Sequence, residues 1–302
     1  MTHPVRSGRE GDMLAVVSQS GPTVSFFDAA DDTLLGVVEV PAEPHELCWD
    51  PVRRLLWCSL AYHAGYYHAN AGRRTEIVAI DPVARRIVEV VDLFPEHGPH
   101  GLALDAQRGL LYVSVEGSDD DARVDDGAGT ANAGDSAGGG TGGRSGGVVI
   151  VDVTVREVVG RIDTAAPGPH WFAIDAAGRI GVAANKEAPF VSIVDLAAGT
   201  MTGKVAVPGS EGVAVSPDGT RAYVAGPYAS FTDPGHAAAE PGIRVIDTAA
   251  GTVLDTWPTG GVVLPVHLTR GGKLLAGPTW MSRDPDSQIG RHEPGRLLVF
   301  DT

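Results

Sequence analysis

The chain has 302 residues, among them 40 glycines and 21 prolines, and a formal net charge of −15. So much glycine and proline excludes a helical protein and suits many short strands joined by turns. The acidic balance excludes nucleic acid and anionic membrane surfaces as partners, and no segment approaches the roughly 18 uninterrupted apolar residues of a membrane span.

The opening stretch, "MTHPVRSGREGDML", lacks the apolar run of a secretory signal, so a cytoplasmic protein is expected. From there one unit recurs along the chain. An apolar strand ends in Asp, a polar turn follows, then an alternating strand, a loop and another apolar strand. The strand-plus-Asp element reads "VSFFD" (24–28), "IVAID" (77–81), "VVIVD" (148–152), "VSIVD" (191–195), "IRVID" (243–247) and "LLVFD" (297–301). An Asp leaving a strand can accept backbone hydrogen bonds from the turn that follows it, which gives its position a physical reason.

The longest interval between copies contains "GSDDDARVDDGAGTANAGDSAGGGTGGRSGG" (117–147), with six Asp and two Arg. This stretch has too little apolar surface to order itself and reads as a disordered loop insertion. Its acidic residues lack the spacing of a calcium loop. Cys48 and Cys58 do not make a disulfide framework and read as two small buried residues on neighbouring strands of one hairpin.

Units of about 40–45 residues with four short strands indicate a β-propeller. The expected fold is therefore all-β, a single propeller domain over 1–302, with six blades and seven as the alternative. Closure of the ring is left open. Residues 3–14 match 45–56 in length and could supply an inner strand carrying His3, or the N-terminal segment could pair with the last blade.

The innermost strand of each blade carries the chemistry. "EPHELCWD" (43–50), "GPHGLALD" (98–105) and "GPHWFAID" (168–175) place His45, His100 and His170 at one slot, and "SEGVAVS" (210–216) places Glu211 there. Equivalent slots of a ring face one another across its channel. Three imidazoles and a carboxylate would suit a divalent transition metal (Zn, Fe, Mn, Cu or Ni) and leave positions open for a substrate. His267, in "LPVHLTRGGK" (264–273), is a further candidate ligand, although strand alternation could turn it to another face. Set against this, a recurring histidine in a duplicated repeat could simply lock the loop before the strand. Leaving four ionisable groups around a channel without an ion or ligand would be costly, which favours a site.

Long connections after the second strand of several blades fall on the face where the inner strands begin, as expected of a binding face. "AYHAGYYHANAGRRTE" (61–76) supplies Tyr62, His63, Tyr66, Tyr67 and His68. "GPYASFTDPGHAAAEPG" (226–242) supplies Tyr228, Phe231 and His236, and "PTWMSRDPDSQIGRHEPG" (278–295) supplies Trp280 and His292. Tyr62, Tyr67, Tyr228 and Trp280 are the candidate substrate-binding residues. Glu211, His63 and Glu116 are the candidate proton carriers, and Asn185 and Glu187 stand at a strand end on the same rim. His97 reads as an exposed loop residue, with a supporting role beside His100 as the alternative. The sequence has no G-x-S-x-G elbow, H-E-x-x-H, P-loop or Rossmann glycine fingerprint.

"FVSIVDLAAGTMTGKVAVPGSEGVAVSPDGTRAYVAG" (190–226) resembles the YVTN-type repeat of YncE-like propellers, and the resemblance runs through essentially the whole chain. It implies the fold far more than the function. Placement of His and Glu around the ring is also similar to the streptogramin lyases. Together these readings anticipate a metal-dependent lyase, hydrolase or isomerase acting on a small organic substrate at the channel mouth. A non-catalytic binding or protein-interaction module is the alternative, and a histidine-ligated iron oxygenase, as in the carotenoid-cleaving family, a further one. Oligomeric state stays open between monomer and dimer.

Overall fold

The structure is a computed structural model of the whole chain. It describes residues 11–19, 21–64, 71–118, 145–226, 240–279, 281–282, 291–292 and 296–302. The described residues form strands and turns and no helix, so none is long and apolar enough to cross a membrane.

Six antiparallel sheets follow one another along the chain. The first comprises β1 (Met13–Ser18), β2 (Thr23–Asp28) and β3 (Leu34–Glu39). The second has β4 (Glu43–Asp50), β5 (Leu55–Ala64), β7 (Glu76–Asp81) and β8 (Arg86–Asp92), with the short β6 (Ala71–Arg73) added to β5. The third runs β9 (Glu96–Asp105), β10 (Leu110–Ser118), β11 (Gly147–Asp152) and β12 (Glu157–Asp163). The fourth runs β13 (Pro169–Ile174), β14 (Ile180–Asn185), β15 (Phe190–Asp195) and β16 (Thr200–Ala206). The fifth runs β17 (Val213–Val215), β18 (Arg221–Gly226), β19 (Gly242–Asp247) and β20 (Thr252–Pro258). The last holds β21 (Val262–Leu268), β22 (Lys273–Thr279) and β25 (Leu298–Asp301), beside a two-stranded pair of β23 (Met281–Ser282) and β24 (Arg291–His292). These are the six blades of a β-propeller, and the described residues hold no seventh.

Burial explains the strand patterns. The second and third strands of a blade are covered on both faces and read as unbroken apolar runs, as in β7 and β14. Outer strands such as β12 and β20 are largely exposed, and Val158, Val159 and Leu254 lie open to solvent. The recurring Asp does the work anticipated of it. Val83 and Ala84 each donate their N–H to Asp81 Oδ1 at 2.9 Å, and Asp152, Asp195 and Asp247 accept equivalent bonds from the turns after them. One residue before each of these Asp, the ladder to the outer strand slips by a residue. This bulge stands at the same place in five blades.

Contacts divide the chain into two compact units. In the unit of residues 1–102 and 118–144, Val24, Phe26, Leu60, Val78 and Ile80 form the centre of an apolar core. The unit of residues 103–117 and 145–302 holds three apolar clusters, around Val191 and Val224, around Ile243 and Leu274, and around Tyr112 and Val194. Cys48 and Cys58 are free thiols on the neighbouring strands β4 and β5, one half-buried and one fully buried.

β1 begins at Met13 as β5 begins at Leu55, the offset that matching residues 3–14 to 45–56 requires. The inner strand this would give the first blade, and the disordered reading of 117–147 over residues 119–144, fall outside the described residues. The long connection 61–76 is not simply a loop. Tyr62 pairs with Arg73 and Ala64 with Ala71, so β5 and β6 extend the blade as a ribbon.

Candidate functional site

The histidines enter at the starts of inner strands, each paired along one edge with the second strand of its blade. His45 lies in β4, His100 in β9 and His170 in β13; His100 is fully buried, His170 nearly so and His45 half-buried. Left-handed glycines turn the chain into two of these strands, Gly98 at φ +61° and Gly168 at φ +59°, two residues ahead of His100 and His170. Gly209, at φ +56°, stands two residues ahead of Glu211.

The His45 and His100 rings meet edge to face with centroids 4.3 Å apart. The Tyr62 hydroxyl lies 3.4 Å from His100 Nε2. His45 Nδ1 is 3.5 Å from Glu46 Oε1. His45, His100 and His170 each offer one imidazole nitrogen that could serve as a metal ligand.

Glu211, expected as a fourth ligand, faces two side chains. Its Oε2 is 3.0 Å from His170 Nδ1 and its Oε1 3.1 Å from Lys186 Nζ. Burial pushes the Glu211 carboxyl up, but the His170 imidazole and the Lys186 ammonium outweigh it and hold the group down at about 2. The carboxylate at Nδ1 leaves Nε2 as the nitrogen His170 could offer to a metal.

Other candidates are placed as follows. His267 is exposed on β21, paired in register with Leu275, and is not part of the histidine group, because alternation along β21 turns Val266 inward instead. His63 is exposed at the end of β5 with Nε2 3.2 Å from Arg74 Nη1, an acceptor for a guanidinium. Glu116 is half-buried near the end of β10. Asn185 is fully buried and donates from Nδ2 to the Phe190 carbonyl and to Ser192 Oγ. Glu187 is exposed and packs beside Gly168. His97 is buried in β9, contrary to the exposed reading, because β9 begins at Glu96 and takes His97 into the blade. Tyr67, Tyr228 and Trp280 lie outside the described residues, as do His3, Tyr66, His68, Phe231 and His236.

Sequence reasoning missed Lys186 as the partner of Glu211 and overlooked Glu43. Glu43 is buried two residues before His45, where the other blades carry Gly98, Gly168 and Gly209. Burial pushes its carboxyl up to about 7, against the lowering pull of His45. The break in the glycine pattern was the available signal.

Fold and site together define a β-propeller with a histidine group fit for a metal. No family model and no curated protein matches the chain. Among solved structures it is similar to the hydrazine synthase of Kuenenia stuttgartiensis, at 18% identity and a TM-score of 0.63, over 89% of this chain and 73% of that one. At such identity the likeness carries the propeller fold alone.

Proposed function

We propose that the protein is a metal-dependent enzyme of the lyase, hydrolase or isomerase type, acting on a small organic substrate at a centre made by His45, His100 and His170. The observation that carries this reading is histidine at the same inner-strand slot of three successive blades, each offering an imidazole nitrogen, with the His45 and His100 rings 4.3 Å apart. Neutral imidazole suits Zn, Fe, Mn, Cu or Ni, and three protein ligands leave coordination positions for substrate, the pattern of a catalytic metal rather than a structural one. A bound ion would supply Lewis acidity to a carbonyl or ester oxygen.

The chain's own residues supply the rest. Glu211, locked by Lys186, orients His170 from behind. Tyr62, whose hydroxyl adjoins His100, is placed to donate a hydrogen bond to substrate or to hold a proton at Oη. The acidic chain speaks against a nucleic-acid substrate. The YVTN-type resemblance is consistent with the fold but adds no substrate.

Elemental mass spectrometry of tag-free protein tests the reading, beside a variant with His45, His100 and His170 changed to Ala. Near-stoichiometric metal in the parent, absent from a folded triple variant, is the expected result. Iron as the retained metal would direct the activity search to oxygenase chemistry. Protein that neither carries nor takes up any of the five metals would overturn the reading in favour of a binding module.

A further inference from the structure

The ribbon formed by β5 and β6 carries a second polar group beside the histidines, and its chemistry is cationic. Glu43, Tyr62 and Arg73 are in register across β4, β5 and β6, Glu43 opposite Tyr62 and Tyr62 opposite Arg73. Residues directly opposite in antiparallel strands project to the same face. Tyr62 on this row reaches His100. Arg73 Nη1 lies 3.5 Å from Nε2 of the buried His97. Because a guanidinium only donates, Nε2 accepts and the His97 proton sits on Nδ1.

The two adjacent arginines differ. Arg74 donates to both carboxylate oxygens of Glu76, at 2.9 and 2.7 Å, so its charge is matched. Arg73 is exposed and makes no ion pair among the described residues. What sets Arg73 apart from the other exposed arginines is its place on the Tyr62 row beside the buried His97. The backbone of the next residue is held on both sides. Arg74 N–H donates to the Ala61 carbonyl at 3.1 Å, and the Arg74 carbonyl accepts from Gly98 N–H at 2.8 Å.

We infer that Arg73, set by the buried His97, is the anchor for a carboxylate on the substrate. This rests on the reading of the histidine group as the reacting centre. The guanidinium fork fits a carboxylate with two parallel hydrogen bonds. Phosphate would fit the same fork, but the field of a chain at −15 penalises a dianion more than a monoanion, which favours the carboxylate. The row through Tyr62 then gives the substrate its direction, the carboxylate on Arg73 and the reacting end toward His100.

The test is titration of the full-length protein with butyrate, with uncharged butyramide and with inorganic phosphate. The His97 imidazole nitrogens are followed by NMR, before and after chelator treatment. Saturable shifts with butyrate alone, in both preparations, are expected. Arg73→Met should weaken butyrate at least about tenfold, Arg73→Lys less, and the exposed Arg270→Met not at all. Circular dichroism confirms that each variant is folded. Equal butyrate binding in Arg73→Met, no saturation in the parent, or a preference for phosphate overturns the inference. Since binding is read without metal, its failure is distinct from failure of the metal centre, which elemental analysis reports.

Discussion

Glu211 places its carboxylate 3.0 Å from Nδ1 of His170, one blade's slot residue gripping that of the blade before it. His45 and His100, 4.3 Å apart edge to face, repeat the relationship in the other unit. A repeated slot therefore produces contacts between consecutive blades, and a change of residue type at one copy changes the role. Histidine at this slot could offer a ligand atom, whereas Glu211 pairs with the histidine of the blade before it.

Replacing Glu211 with Gln keeps the shape and removes the charge that fixes the His170 ring. Metal affinity should fall about 10–100-fold, the usual effect of losing such an orienting carboxylate. Competition against a chelator of known affinity measures it. Unchanged affinity with normal circular dichroism would deny Glu211 the orienting role.

Gly168 and Gly199 both hold left-handed backbone, at φ +59° and +66°. A Cβ on Gly199 meets open space, while one on Gly168 would lie 3.1 Å from Glu187 Cγ. Gly199→Ala should therefore lose about 1–2 kcal/mol from backbone conformation alone. Gly168→Ala should lose at least as much and also disturb the turn into β13 that places His170. Urea unfolding of the two variants gives the comparison; a smaller loss at Gly168 would contradict it.

Much of this architecture was legible because it is written six times. Each recurring Asp announces a turn, each apolar run a strand covered on both faces, and the slot histidines line up once the copies are aligned. What escaped was local and unrepeated. His97 looked like a loop residue because Gly98 and Pro99 follow it, yet β9 starts earlier than its counterpart β13 and buries it. The pairing of Lys186 with Glu211 joins residues 25 positions apart by side-chain reach alone, which no periodicity encodes. Arg73 gained its meaning only when β6 folded back on β5.

Asp218 makes a pH prediction with a defined sign. Ser216 Oγ donates to its Oδ1 at 2.6 Å and Thr220 N–H at 3.0 Å, and these bonds, that from the Ser216 hydroxyl foremost, hold the carboxyl down at about 2. A depressed carboxyl stabilises the fold above its unfolded value and loses that contribution as pH falls through the folded value. Carbon NMR of the Asp218 carboxyl should give a midpoint near 2 in the parent and a higher one in Ser216→Ala. Identical midpoints would remove the hydroxyl as the cause.

Asn185 offers the sharpest test of the buried polar network behind the site. It is fully buried at the end of β14, and Nδ2 donates to the Phe190 carbonyl at 2.9 Å and to Ser192 Oγ at 3.0 Å. Ser192 Oγ passes its own proton to the Thr164 carbonyl at 2.8 Å, so it can only accept from Asn185. Ala at 185 leaves two acceptors without their donor in a dry setting, at a cost of about 1–3 kcal/mol. Asp is nearly the same shape but brings a buried charge and, when ionised, sets an acceptor against the Phe190 carbonyl. Chemical denaturation at neutral pH should therefore rank parent above Asn185→Ala above Asn185→Asp. Acidification should narrow the gap between the two variants, because a protonated Asp can donate again. An Asp variant as stable as the parent at neutral pH would show that water, not this network, satisfies the Phe190 carbonyl.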